Sequence, residues 1–253
     1  MTQKRVSIAL WVIVLGSGVW SVSAASSLSD LLGEGTSWLS KGDIKRARNA
    51  YTIVSAWAAW DTAVAEVAEE AMFRIAEIDY MTGEIDSART KFNALVERFP
   101  KGKLVNDALE MILFLEEGSL LAKEDLKMIG QAELSKRQGR IDDALARLDT
   151  LASHSPLADR VLFVKSRIER QAGRYEGAIA TLNRMIATHG ESRLRPEATY
   201  RIAQIYEVNL GESHKAIRVY EGLIIDYPQS LYADEARIRI RALKRRLAEK
   251  KGT

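Results

Sequence analysis

Metal or nucleophile chemistry in this 253-residue chain would have to draw on three histidines, His154, His189 and His214, and on no cysteine. The missing thiols argue against thiolate metal sites, cysteine nucleophiles, disulfides and a lipid-bearing N-terminal cysteine. None of the histidines stands in an HExxH or paired-His spacing. Serine and aspartate are plentiful, but there is no GxSxG elbow and no glycine-rich phosphate loop. The acidic pairs Glu69-Glu70 and Glu116-Glu117 fall on helical patterns, where solvated charge explains them. The sequence offers no catalytic residue, no cofactor-binding residue and no metal ligand. The expectation is a protein that is not an enzyme and needs no cofactor.

With chemistry set aside, architecture carries the information. Apolar residues make up 47% of the chain, charged residues 28%, and there are only 4 prolines, a globular composition rich in helix formers. The 37 basic residues against 34 acidic ones give +3, and setting aside Lys4 and Arg5 leaves +1. A balance this close to neutral gives no case for nucleic acid as a partner.

The clearest stretch is Ala198 to Ala236. Ala198, Ile202, Ile205 and Tyr206 recur at helical spacing. Gly211 follows where a helix needs a residue tolerant of positive φ. Ala216 and Tyr220 lie one turn apart on a second helix, and Tyr227-Pro228 ends it. Four weaker copies precede it. Each turn glycine (Gly42, Gly83, Gly139, Gly173, Gly211) is followed five residues on by Ala47, Ala88, Ala144, Ala178 and Ala216. Four residues beyond these come Tyr51, Phe92, Leu148, Leu182 and Tyr220. Twelve residues beyond the alanines come Ala59, Pro100, Pro156, Gly190 and Pro228. One helical hairpin cannot bury its apolar faces alone, so the copies must stack.

These residues resemble the tetratricopeptide repeat (TPR) family, over roughly Ser37 to Ala236. Gly139 and Gly173 are one 34-residue period apart; the other intervals, 41, 56 and 38, are longer. The resemblance implies an all-α, right-handed α-solenoid of about five helical hairpins. It also implies a concave groove, lined by first helices, that binds peptides or protein segments. Counted from Gly173, the family spacing puts Arg160, Arg167 and Arg170 on that groove; the apolar stripe Val161, Val164, Ile168 and Ala172 instead substitutes Asp159 and Glu169. Both frames stay open, and with them the charge of the groove.

Several segments depart from the plain repeat. Leu28 to Ser40 reads as a first helix that Gly33 and Gly35 could break. Trp57 and Trp60 are expected to pack against the next hairpin, the alternative being an exposed aromatic anchor. Asp61 to Met81 reads as one long helix. The 56-residue interval leaves room for an extra helical segment near 104–118, broken at Gly118-Ser119, with Leu120 to Gln138 as the next first helix. That segment serves as a packing spacer or as a docking element. The last helix, about Leu231 to Lys250, carries Ala236, Ile240, Leu243 and Leu247 on one face among many Arg and Lys. It reads as a solvated cap, with peripheral contact to anionic lipid or an acidic partner as the alternative.

Residues 1–25 have the parts of a secretory signal peptide: Lys4 and Arg5, an apolar run from Val6 to Trp20, then small residues with cleavage expected after Ala24 or Ala25. An uncleaved N-terminal anchor is the alternative. Either way residues 26–253, the TPR-like α-solenoid domain, are expected outside the cytoplasm. The offset of eight from Pro228 to Ala236, and from Pro100 to Ala108, resembles repeats of cell-envelope proteins: the TolA-binding periplasmic protein and the lipoprotein of the outer-membrane β-barrel assembly machinery. The function this implies is a periplasmic scaffold for protein–protein interaction in an envelope complex. The alternative is a membrane-anchored accessory or regulator of secretion, polymer export or outer-membrane assembly.

Overall fold

The structure is a computed structural model that describes residues 20–57 and 65–249, with side chains from Ser27. Most of the expected signal segment, together with Ala59, Trp60 and Lys250, lies outside the described residues. Among them are twelve α-helices and no strand. Five hairpins are formed: α1 (Trp20–Ser40) with α2 (Ile44–Trp57), α3 (Ala65–Thr82) with α4 (Ile85–Arg98), α6 (Lys123–Arg137) with α7 (Ile141–Leu151), α8 (Ala158–Gln171) with α9 (Tyr175–Thr188), and α10 (Arg195–Gln204) with α11 (Ser213–Asp226). The additional helix α5 (Val105–Leu121) lies between the second and third hairpins, and α12 (Leu231–Glu249) ends the stack. The chain is an α-solenoid of helical hairpins.

Each hairpin turns at its glycine. Gly42, Gly83, Gly139, Gly173 and Gly211 have φ of 85°, 90°, 76°, 76° and 71°, a region costly for any residue with a Cβ. The next backbone N–H reaches back to close the turn, as Glu84 N does to the Asp79 carbonyl at 2.8 Å and Arg174 N to that of Glu169 at 2.8 Å. The alanines five beyond, and the large side chains nine beyond, are buried in all five hairpins. Each fully buried large side chain contributes about 1.5–3 kcal/mol. Opposite them, seven residues before the glycine, the first helix carries a small buried residue: Gly35, Ala76, Ala132 or Ser166.

The fifth hairpin differs by one residue, because Ala203 stands eight before Gly211. The surplus is taken up by a π-helical segment, Ile205–Asn209, in which Leu210 N donates to the Ile205 carbonyl at 3.0 Å. The turn is closed by Glu212 N bonding six residues back, to Tyr206, at 2.7 Å. The π segment accounts for one of the four surplus residues between Gly173 and Gly211, and the other three lie between Gly173 and Ser192. Gly173 to Ser192 spans 19 residues against 16 from Gly139 to Ser155, and Ser192 to Gly211 spans 19 against 18 from Ser155 to Gly173.

Three boundary expectations are corrected. Gly33 and Gly35 do not break α1, and Gly35 is required because a Cβ there would lie 2.6 Å from the Tyr51 ring. Gly118 does not break α5. It is held inside the helix against Leu126, whose atoms would be 2.6 Å from a Cβ, and the break comes at Ala122. Leu120 belongs to α5, not α6. Trp57 is half-exposed, at 48%, and α3 is described only from Ala65. As expected, α12 buries Ala236, Ile240 and Leu243.

Candidate functional site

The first helices face a common groove, and side chains between hairpins fix its shape. At the head of α8, Ser155 Oγ donates to Asp125 of α6 at 2.6 Å and accepts from Leu157 N at 3.0 Å. One hairpin later, Ser192 Oγ donates to Asp159 at 2.6 Å and accepts from Leu194 N at 3.1 Å. At the head of α5, buried Glu69 of α3 accepts from Lys103 N at 3.1 Å and Leu104 N at 2.7 Å. An acid on one first helix thus pins the start of the next. These acids and serines escaped the sequence reading, although Ser155, Ser192 and Ser230 sit at equivalent places ahead of α8, α10 and α12 and could have been aligned as a further repeat column.

Within hairpins a second acid, four residues before the turn glycine, joins the two helices. Asp79 is buried and accepts hydrogen bonds from Arg48, Ser87 (2.5 Å) and Lys91. Burial alone would raise its carboxyl, but the bonds from Lys91, Ser87 and Arg48 outweigh it and hold the carboxyl below its usual range. Glu169 accepts from Thr181 at 2.7 Å. Glu207 accepts from Tyr220 at 3.0 Å and from two nitrogens of Arg239, so it ties the π segment to α12.

The groove encloses about 840 Å³ between α3, α5, α8 and α10, with a contribution from α6. Its apolar surfaces include Phe73, Met111, Phe114 and Phe163. Phe114 meets Tyr80 edge-on with ring centroids 6.1 Å apart, and Arg160 lies over the same Phe114 ring at 5.8 Å. Arg160 also pairs with Glu117 of α5 at 2.7 Å, so α5 forms one wall of the groove.

Arg160, Arg167 and Arg170 all line this groove, whereas Asp159 is committed to Ser192 and Glu169 is buried against α9. The frame counted from the turn glycine is therefore the right one. The apolar stripe misled by one position because Val164 sits at the rim and serves both the core and the groove.

The charge of the groove is mixed, with eight acidic and six basic side chains along it. Near the centre Arg74 bridges Glu70 (3.0 Å) and Glu77 (2.8 Å), Glu77 also holds Arg137 (2.6 Å), and Arg167 pairs with Glu133. Towards the α5 side the balance turns acidic. Burial, reinforced by Glu197 and Asp107, raises the Glu110 carboxyl against the opposing pull of Arg201 and Arg160. Burial, with Glu133 nearby, pushes the Tyr80 hydroxyl well above its ordinary value. Among the described residues no group of three His, Asp or Glu is placed to hold a metal ion.

Family models described as tetratricopeptide repeat match residues 129–197 and, separately, residues 70–102 and 197–230. Together they cover just over half of the chain. The chain belongs to the tetratricopeptide repeat family. The first hairpin, helix α5 and the cap α12 fall outside the matched TPR segments. Among solved structures, the chain is similar to a kinesin light chain with nearly identical TPR-like repeats from Podosopora anserina (13% identity, 72% of this chain and 88% of that one, TM-score 0.42). It is also similar to a tetratricopeptide repeat protein from Parabacteroides merdae (14% identity, 90% and 77%, TM-score 0.38). A thermophilic TPR protein of Thermus thermophilus shares 16% identity over 85% of this chain and 98% of that one, with a TM-score of 0.37. No curated protein sequence matches the chain. TPR repeats are protein-interaction scaffolds, and the TPR hairpins here are assembled around such a groove.

Proposed function

We propose that the chain is an exported cell-envelope scaffold whose inner groove holds a segment of a partner protein. One observation carries this reading: a groove of about 840 Å³ with aromatic and Met surfaces between charges of both signs. That volume suits a short stretch of peptide, whose backbone presents donors and acceptors to both kinds of charge. The test is site-specific photo-crosslinking in the native host. A photo-reactive residue at Glu110 or Arg170 should capture one and the same protein, and one at Arg147, exposed on α7, should not. Equal capture from Arg147, or none from the groove, overturns the reading.

Export is supported by Lys4, Arg5 and the apolar run that ends in small residues at Ala24 and Ala25. The envelope setting is supported by the Pro-to-Ala offsets at Pro100 and Pro228. A second reading keeps the N-terminal segment as an anchor, making the chain an accessory of secretion, polymer export or outer-membrane assembly. It is favoured by the continuity of α1 through Ala24 and Ala25, since a helix offers a peptidase no extended strand. Among the described residues no helix is long and apolar enough to cross a membrane. In the anchored arrangement the basic cap α12 would lie against anionic headgroups. Mass measurement of the mature N-terminus separates the two readings.

A further inference from the structure

Helix α5 occupies the place of a first helix but has no second helix of its own. Gly102, just ahead of α5, corresponds to Ser155, Ser192 and Ser230 ahead of α8, α10 and α12. Six residues on, all four helices bury an apolar residue: Ala108, Val161, Ala198 and Ala236. Eleven residues on, α8 and α10 bury Ser166 and Ala203 under the second helix of their hairpins. At the same position α5 carries Leu113, 64% exposed, and α12 carries an exposed arginine, Arg241. Seven residues on, α8 buries Leu162, while Leu109 of α5 is exposed and α12 has exposed Arg237. The two unpaired first helices therefore treat the same bare face in opposite ways. The cap makes it cationic, as a solenoid end requires. Helix α5 leaves a stripe of Leu109, Leu113 and Leu120 facing water, Leu120 being 88% exposed.

We propose that this stripe is the docking site for an amphipathic helix of a partner protein, with an apolar stripe flanked by lysine or arginine. The architecture supplies the helical form of the occupant, because every other internal first helix of the stack has a helix packed on this face. The leucine at the position that is elsewhere small sets the spacing. The incoming helix rests on side chains instead of approaching the backbone. Charge supplies the flank: Glu116 is the acid on this face and α5 has no basic residue, whereas Asp107 and Glu110 line the groove and Glu117 pairs with Arg160. Glu116 lies within the stripe itself, between Leu113 and Leu120. A second copy of α5 would set the two Glu116 carboxylates against one another, whereas a basic helix pairs with Glu116. This face is separate from the groove, towards which α5 turns Glu110, Met111 and Phe114.

The test uses the full chain and a fluorescent helical peptide of leucine and lysine, with a leucine–glutamate counterpart as control. The lysine peptide should bind saturably and the glutamate peptide should not. The triple variant Leu109→Gln, Leu113→Gln, Leu120→Gln should bind it at least about tenfold more weakly. Helicity should be unchanged, since the three side chains face water, and capture of the groove partner should persist. Equal binding by the variant, or no binding by the wild type, overturns the proposal. So does a dimer that dissociates in the variant, which assigns the face to a second copy. Variant-sensitive adsorption to phosphatidylcholine vesicles would overturn it in favour of a lipid surface.

Discussion

Gly35 lies so close under Tyr51 that a Cβ at position 35 would fall 2.6 Å from Cε1 of the ring. The ring is fixed in turn, because its hydroxyl and Thr36 Oγ1 are 3.1 Å apart. Two residues earlier on α1, Gly33 has nothing within 4 Å of such a Cβ. The same substitution should therefore have opposite signs at the two positions. Gly33→Ala gains helix propensity and should stabilise by up to about 1 kcal/mol. Gly35→Ala gains as much but incurs overpacking of about 1–3 kcal/mol, so a net loss of about 1 kcal/mol is expected. Urea unfolding of both variants, followed by circular dichroism, checks the pair of signs.

Asp79 gives the second hairpin an acid-labile link. Its folded carboxyl lies below the usual range, so its contribution is complete above about pH 4, where the unfolded carboxyl is ionised, and is lost as pH falls through the lower folded value. Asp79→Asn should cost about 2 kcal/mol at pH 7. The gap between wild type and variant should close on acidification below about pH 4. A gap that stays constant down to pH 2 would contradict this assignment.

Glu110 has the opposite sign. Its carboxyl is raised by burial and by Glu197 and Asp107. Its contribution is present below the unfolded carboxyl range and is lost as pH rises through the raised folded value. Glu110→Gln should therefore stabilise the fold at neutral pH and leave stability at pH 3 unchanged. Because the side chain is exposed on one side, the gain should stay below about 1 kcal/mol. Thermal unfolding at the two pH values reads it out.

Removing Glu207 should loosen the cap. Its carboxylate is 3% exposed and holds Arg239 through two bonds as well as the Tyr220 hydroxyl. Glu207→Ala strands that hydroxyl, while Arg239, about a third exposed, can turn to water. A loss of about 2 kcal/mol is expected. Hydrogen exchange should show it as faster exchange in α12, with α3 and α4 unaffected.

The repeat columns that build the stack were legible because glycine, alanine and proline each answer a local demand: a positive φ, a close helix approach, a helix end. The groove was half legible. Arg160, Arg167 and Arg170 were named by family spacing, yet Val164 at the rim blurred the helix face by one residue. What pins the hairpins together was not legible. Asp125, Asp159 and Glu69 look like ordinary surface acids until Ser155, Ser192 and Leu104 are brought to them from 30 or more residues away. Gly118 misled for a related reason. A helix interior normally disfavours glycine, and only the nearness of Leu126 shows why one is needed there.

The π segment at Ile205–Asn209 has a consequence for how such a stack absorbs change in length. The angular setting of each helix acts as a phase, and one inserted residue advances everything after it by about 100°. Here the widened turn takes up that advance before Gly211. Beyond it, Ala216 and Tyr220 are buried at the same offsets as their counterparts in the other four hairpins. The insertion is contained as a dislocation within one turn, and the register of α11 and α12 is independent of it.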